Sequence, residues 1–343
     1  MSTIDARQQL PLVSIIITSY NRATLIDKAI ESALAQDYPN LEIIISDNCS
    51  TDDSDSIIRE FTKDKRVIYS RNTENIGMIP NFRKAVYELS KGQYITFVSS
   101  DDYLLYNSFI SDAVKLAARD PRMVLVFGRT TYMNTLNNVK WEMPEAPYFF
   151  NESWEGRDVF YQSMKTGLLS WGACLLKRSA MLQVGALVKE YHNADLDANY
   201  KMVLGASVGF VNKLSYFQLG HGDNNGFPTD AGKILKSMEC FENVASFAKE
   251  KMPGETADVE KWRSHFLGSI ISWAFHSLKE RDKKEEYRLF KAAAREKYPE
   301  EYRRFIKSWA YRKMLIIQSV KKKLPENIVQ RISHFNRKIK SSS

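Results

Sequence analysis

Cysteine is scarce in this chain: Cys49, Cys174 and Cys240 are the only three in 343 residues, far apart and without a C-x-x-C pair. Such usage excludes a disulfide scaffold and a structural zinc site, and it suits a reducing compartment. Long apolar runs are missing as well. No stretch approaches the ~18 residues needed to span a bilayer, and the first residues lack the basic-then-apolar order of a signal peptide. These absences predict a cytoplasmic chain with no membrane span. Glycine-rich phosphate loops are absent too: no G-x-G-x-x-G follows a predicted strand and no G-x-x-x-x-G-K-[ST] occurs. A dinucleotide-binding dehydrogenase and a P-loop nucleotidase are thereby excluded, and a helix N-terminus is not the seat of a diphosphate in the usual way.

What is present is ordinary globular usage, 44% hydrophobic and 26% charged, in a chain long enough for a catalytic domain plus an accessory region. The first hundred residues alternate strands and helices. Val13–Ile17 is a β-branched run suited to a strand buried on both faces, and it ends in Thr18, Ser19, Tyr20 and Asn21. TLIDKAIESALAQ follows, with Leu25, Ile26, Ala29, Ile30, Ala33 and Leu34 on one helical face and a capping-box signal at Thr24 and Asp27. LEIIISD is a second strand ending at Asp47; RVIYSR is a third, leading through NTENIGMIPNF to the helix RKAVYELSKG. ITFVSSDDYL is a fourth strand, running into Asp101 and Asp102, with Tyr103 and Leu104 expected to start the next helix. Strands alternating with helices predict a mostly parallel sheet, and its polar strand ends fall along one edge, where open α/β sheets bind ligands. Two carboxylates at such an end suit a hard cation sharing phosphate oxygens, or a ribose hydroxyl; alone, they would also fit an exposed acidic turn capping a helix.

The ordered segments IIITSYNR, ISDNCSTDDS, NIGMIPNF and GQYITFVSSDD resemble the inverting family-2 glycosyltransferases with the GT-A fold, over roughly the first 110 residues. The resemblance implies that Thr18, Tyr20, Asn21 and Asp47 hold the nucleotide of a sugar donor, Asp101 its ribose, and Asp102 a Mn2+ or Mg2+ ion with the diphosphate. Relatives usually carry one more Asp just before the pair, where this chain has Ser99 and Ser100. Further along, LLSWGACLLKRSAMLQVGAL looks like the family's acceptor-side segment, which adds Trp171 and Gly172 to the donor site. YHNADLDANYKM matches the place where relatives set an acidic residue at a helix start. Asp195 is the candidate general base there, and Asp197 a more solvated alternative; each would also serve as an ordinary helix-start carboxylate. By the same resemblance His221, in a glycine-bounded loop, is a second candidate metal ligand, whereas His192 reads as a loop residue.

Charge is uneven. Residues 281–343 carry 19 Lys and Arg against 7 Asp and Glu, a net of +12, which leaves −4 for residues 1–280. YRRFIKSWAYRKMLIIQSVKKKL sets Phe305, Trp309, Ile316 and Val320 near one helical face among basic residues, a pattern for a membrane interface or for a packed helix with a solvated basic face. No recognition motif for nucleic acid accompanies the charge. The expectation is an α/β GT-A domain over residues 1–228 and a helical, basic region over 229–343. Its function would be inverting transfer from a nucleotide-sugar to a hydroxyl of a glycan or lipid-linked glycan, with peripheral membrane contact through the basic helices. A non-catalytic sugar-nucleotide or glycan-binding protein is the alternative.

Overall fold

The computed structural model describes residues 10–135, 139–143, 152–167, 171–220, 228, 230–309 and 311–313. The chain divides into two compact units, residues 1–133 with 141–220, and residues 134–140 with 221–343.

In the first unit the apolar runs form the strands expected of them. In chain order the elements are β1 (Val13–Ser19), α1 (Ile26–Leu34), β2 (Leu41–Asp47), α2 (Ser54–Phe61), β3 (Val67–Arg71), α3 (Met78–Lys84), β4 (Tyr94–Ser99), β5 (Tyr103–Leu104), α4 (Phe109–Ala117), β6 (Met123–Asn134), β7 (Val139–Met143), β8 (Ser153–Glu155), α5 (Gly156–Thr166), β9 (Cys174–Lys177), α6 (Arg178–Gln183), α7 (Ala194–Val203) and β10 (Ser207–Gly220). They build one sheet in the order β3-β2-β1-β4-β9-β6-β10-β5, with β7 on β6 and β8 on β10. The first four are parallel, and β9 joins β4 and β6 antiparallel. Register sets the faces. Ile15, Ile17, Ile43, Ile45 and Val98 pack with Ile26, Ile30, Phe109 and Ala113 of the helices on one side. On the other side Ser46 bonds Asn81 and Phe97 meets Phe82 of α3.

Several local expectations are corrected. No side chain caps α1: its N-cap is Leu25, one residue past Thr24, so Thr24 and Asp27 form no capping box, and the N–H groups of Leu25 and Ile26 bond the Arg22 carbonyl. Tyr103 and Leu104 are a two-residue strand against Phe217 and Tyr216 rather than the start of α4: the Tyr103 ring stacks on Phe217, Leu104 N–H donates to Ser32 Oγ, and Leu105 N–H donates to the Ser215 carbonyl. The helix after the NIG segment begins at Met78, since Pro80 in the first turn lacks only an N–H that needs no partner there. It ends in a π-helical turn, Ala85–Leu89, and the Val86 carbonyl accepts from Arg178 and from Ser90 Oγ.

The second unit holds α8 (Ala231–Lys251), α9 (Thr256–Glu280), α10 (Lys284–Lys297) and α11 (Pro299–Lys307). Asp230 caps α8 by accepting from Lys233 N. Trp262, Phe266 and Phe275 of α9 pack against Phe241, Phe290 and Phe305, and Arg263 pairs with Glu242, Glu260 and the buried Glu301. Phe305 and Trp309 do not share a face. Ser308 adopts extended backbone between them, so Phe305 is buried while Trp309 is 71% exposed beside Lys313. Ile316, Val320 and the basic residues after Lys313 lie outside the described residues. No described helix is long and apolar enough to cross a membrane.

Candidate functional site

Three adjacent strand ends assemble the site. Parallel register places Ser19 beside Asp47, and Thr18 beside both Ser46 and Ser99, so the polar ends of β2, β1 and β4 stand in a row. Asp47 is fully buried. Its carboxylate accepts from Ser50 N at 3.1 Å, from Ser50 Oγ, and from Arg71 Nε at 3.2 Å. A buried carboxylate requires such partners, and here they also fix its orientation at the strand end.

The loops after β1 and β2 are stitched together. Asn21 takes a left-handed φ of 53°, which Asn tolerates better than most residues. Its Oδ1 accepts from Thr51 N at 2.8 Å, and its N donates to Ser50 Oγ at 2.9 Å. Asn21, expected among the donor-binding residues, therefore acts as a staple. Tyr20 beside it is exposed, and Thr18 is half-buried. A second stitch runs through asparagines. Asn81 bonds the Ser46 backbone and hydroxyl, Asn72 bridges Asn81 and Asn48, and Asn48 and Asn75 receive Ile76 N and Gly77 N. This ladder shapes the NIG loop, whose Gly77 has φ +90°, a conformation that glycine adopts without strain.

The two aspartates of the β4 turn differ sharply. Asp102 is buried, with Oδ1 accepting from Leu219 N at 2.8 Å and Oδ2 from Tyr216 OH at 2.9 Å. Burial and the neighbouring Asp101 carboxylate push it up to about 7, against the lowering effect of these hydrogen bonds. Asp102, the residue expected to ligate metal, ties the turn to β10 through Tyr216 and Leu219, and each of its oxygens keeps a second lone pair. Asp101 is the carboxylate nearer solvent, with Arg22 Nε 3.5 Å from its Oδ2. Arg22 is held by its own N–H on Ser54 Oγ and by Nη1 on the Asn21 carbonyl. Sequence reading passed over it although it directly follows TSYN. Arg71, at the end of β3, and Tyr216 were passed over in the same way, since their partners lie 24 and 114 residues away.

Among the described residues no three His, Cys, Asp or Glu side chains cluster in a way that would hold a metal ion by themselves. A hard divalent cation that shares phosphate oxygens needs only one or two protein carboxylates, however, and Asp101 meets that requirement. His221 lies outside the described residues.

Asp195 occupies the first turn of α7, a helix whose other residues from Ala194 to Val203 are all buried. Asp195 is the one residue of α7 that keeps partial exposure. Burial pushes that carboxyl up to about 6, opposed by the N–H groups of Leu196 and of Asp195 itself. The buried Cys174 of β9 is close enough that the Asp195 charge helps to push its thiol up. Asp197, expected to be solvated, is buried and paired with Lys201 at 2.8 Å. Trp171 is buried and stacks on Phe97, whereas Gly172 is half-buried, and a Cβ there would lie 3.3 Å from the Tyr216 ring. His192 is a half-buried loop residue.

Comparison with known proteins agrees with this geometry. The sequence model of "Glycosyl transferase family 2" matches residues 14–185. An Escherichia coli protein named UDP-Glc:alpha-D-GlcNAc-diphosphoundecaprenol beta-1,3-glucosyltransferase WfaP is 46% identical over 94 residues, 27% of this chain and 37% of that protein. A Campylobacter jejuni GalNAc(5)-diNAcBac-PP-undecaprenol beta-1,3-glucosyltransferase is 39% identical over 98 residues, 28% of this chain and 31% of its own. The match thus spans about a third of each relative. Among solved structures, S. aureus TarS 1-349 in complex with UDP-GlcNAc superposes with a TM-score of 0.55 at 16% identity, covering 83% of this chain and 92% of that one. Mannosyltransferase PcManGT from Pyrobaculum calidifontis, in complex with GDP-Man and Mn2+, gives 0.54 at 15%, covering 98% and 87%. These two likenesses establish the GT-A fold.

Proposed function

This chain belongs to glycosyl transferase family 2, and from that membership we propose that it moves a sugar, with inversion, from a nucleotide-diphosphate-sugar to a hydroxyl of a glycan or lipid-linked glycan. The observation that carries the reading is the row of polar strand ends, Asp47, Thr18 and Asp101, in the same unit as Asp195, whose carboxyl is raised to about 6. Asp47, oriented by Arg71 and Ser50, offers an acceptor to a nucleobase N–H, and the exposed Tyr20 ring offers a stacking surface.

Asp195 removes the proton of the acceptor hydroxyl as that oxygen attacks the anomeric carbon. A carboxylate with a pKa near 6 is mostly ionised at pH 7 and is a stronger base than an ordinary one, and such a base typically contributes ~100- to 10,000-fold. The departing diphosphate needs a counter-charge. Arg22 supplies one: its guanidinium approaches Asp101, and among the described residues its Nη2 has no protein acceptor. A Mg2+ or Mn2+ ion bound with the donor would be held through Asp101, with His221 as a further ligand, and would supply Lewis-acid charge to the diphosphate. Asp102 keeps the turn in place through Tyr216 and Leu219.

The lipid-linked class of acceptor is supported by the names of the Escherichia coli and Campylobacter jejuni relatives, which specify undecaprenol-linked substrates, and by the basic C-terminal region, which suits the inner face of the cytoplasmic membrane. The test begins with nucleotide-sugars screened for thermal stabilisation with and without Mn2+, since a ligand at 100 times its dissociation constant adds ~2.7 kcal/mol. Turnover of the stabilising donor by wild-type protein, lost in Asp195→Asn, is the expected result. Donor binding with no turnover by the wild type would return the protein to the binding-module alternative.

A further inference from the structure

Trp171 joins the two halves of the proposed site. Its ring stacks on Phe97 of β4 with centroids 4.1 Å apart and planes 13° from parallel, and Phe82 of α3 packs edge-on against both rings. Phe97 precedes Asp101 by four residues on the strand that delivers the donor turn. On its other side the indole Nε1 donates to Asn199 Oδ1 at 3.0 Å, in a buried bond. Asn199 lies four residues after Asp195 on α7, the spacing that puts two side chains on one face of a helix. A second bond, Lys201 to Asp197, is made within α7 and cannot position the helix against the sheet.

Indole N–H is a donor only, and Phe97 offers it no acceptor. The stack fixes the ring plane while the hydrogen bond fixes where α7 stands relative to that plane. Buried polar bonds of this kind specify geometry, because leaving either partner unmet costs ~1–3 kcal/mol. A displacement of about 1 Å in a catalytic group can cost a hundredfold in rate.

We propose that Trp171 and Asn199 are positioning residues, a brace that sets the Asp195 carboxylate at its working distance from the donor turn at Asp101. The proposal rests on the reading of Asp195 as the general base. Neither residue touches substrate; each acts through the helix it holds.

The experiment compares Trp171→Phe, which keeps an aromatic ring and removes the N–H, with Asn199→Ala, which removes the acceptor, and with the double variant. Each is assayed with the donor that wild-type protein turns over, and UDP binding, or GDP if UDP does not bind, is measured by calorimetry. The expected result is a 10- to 100-fold fall in kcat for each single variant with nucleotide Kd within twofold of wild type. The double variant should fall no further than the worse single one, because both remove the same bond. Circular dichroism and melting temperature identify any variant that fails to fold; Asn199→Ala then carries the test if Trp171→Phe is lost. Wild-type kcat in folded Trp171→Phe and Asn199→Ala, beside an inactive Asp195→Asn, overturns the brace and leaves the base intact. Multiplying losses in the double variant would also overturn it. Full activity in Asp195→Asn would instead remove the base on which the brace depends.

Discussion

Asp195 meets two opposed demands, burial that raises its pKa and ionisation that makes it a base. Asp195→Asn should lower kcat by two to four orders of magnitude while donor Kd stays near wild type, because only the transition-state proton transfer is lost. The pH profile follows from the same shift. The rate at saturating donor should rise tenfold per pH unit up to about 6 and level off above it, as the carboxylate ionises. For stability the sign is reversed: a carboxyl raised in the folded state binds its proton more tightly there, so stability declines as pH rises from about 4 to about 6. Melting curves of Asp195→Asn should therefore lie above wild type at pH 7.5 and converge with it towards pH 4; a lower melting point at pH 7.5 would contradict the strained carboxylate. Arg22 allows a second residue-scale test. Charge-assisted bonds are worth ~1.5–3 kcal/mol, so Arg22→Ala should weaken UDP by roughly 10- to 100-fold and leave uridine unchanged. Equal losses for both ligands would mean that the arginine serves the loop rather than the diphosphate.

At the scale of elements, α7 is held from several sides, and the least obvious support is a glycine. Gly156 begins α5 where an added Cβ would lie 1.9 Å from the Val203 carbonyl oxygen, at the end of α7, and 2.8 Å from that of Ala206, in the turn before β10. Gly156→Ala must shift one helix against the other. Overpacking of this kind costs ~1–3 kcal/mol, so the melting temperature should drop by several degrees and kcat should fall with it through the displaced Asp195. An unchanged melting curve would show that α5 and α7 slide freely. The loops on the donor side obey the same logic, since Asn21, Asn48, Asn72 and Asn81 replace regular backbone pairing with side-chain bonds.

For the molecule as a whole, charge separates along the chain. Residues 1–280 sum to −4 and residues 281–343 to +12. Within the described part of that region Trp309 is exposed beside Lys313. Neutralising Lys321, Lys322 and Lys323 together should weaken binding to anionic liposomes by about a hundredfold, at ~1 kcal/mol for each charge, while transfer to a soluble acceptor analogue is retained. Raising salt from 0.1 M to 1 M, which shortens the screening length from ~10 Å to ~3 Å, should release the wild-type protein. Wild-type protein that ignores anionic liposomes at low salt would assign the basic residues to a solvated surface.

The sequence by itself determined the strands, the helices between them and the row of polar strand ends, because β-branched runs and apolar periodicity act over a few residues and parallel pairing follows from the alternation. Asp47, Asp101 and Asp195 stand out in the sequence for the same reason, as acidic residues at element boundaries. Which atoms those residues offer was decided by the tertiary structure. Asp102 and Asp101 are neighbours with the same side chain, yet Tyr216 and Leu219, more than a hundred residues on, bond the oxygens of one while Arg22 approaches the other. Trp171 is buried because Phe97 and Asn199 supply both a stacking face and an acceptor. The capping box at Thr24 does not form because α1 starts one residue later, with Leu25 at its N-cap. Local pattern fixes where a side chain sits along its element; its partners arrive from distant segments brought together by burial, and no local pattern records them.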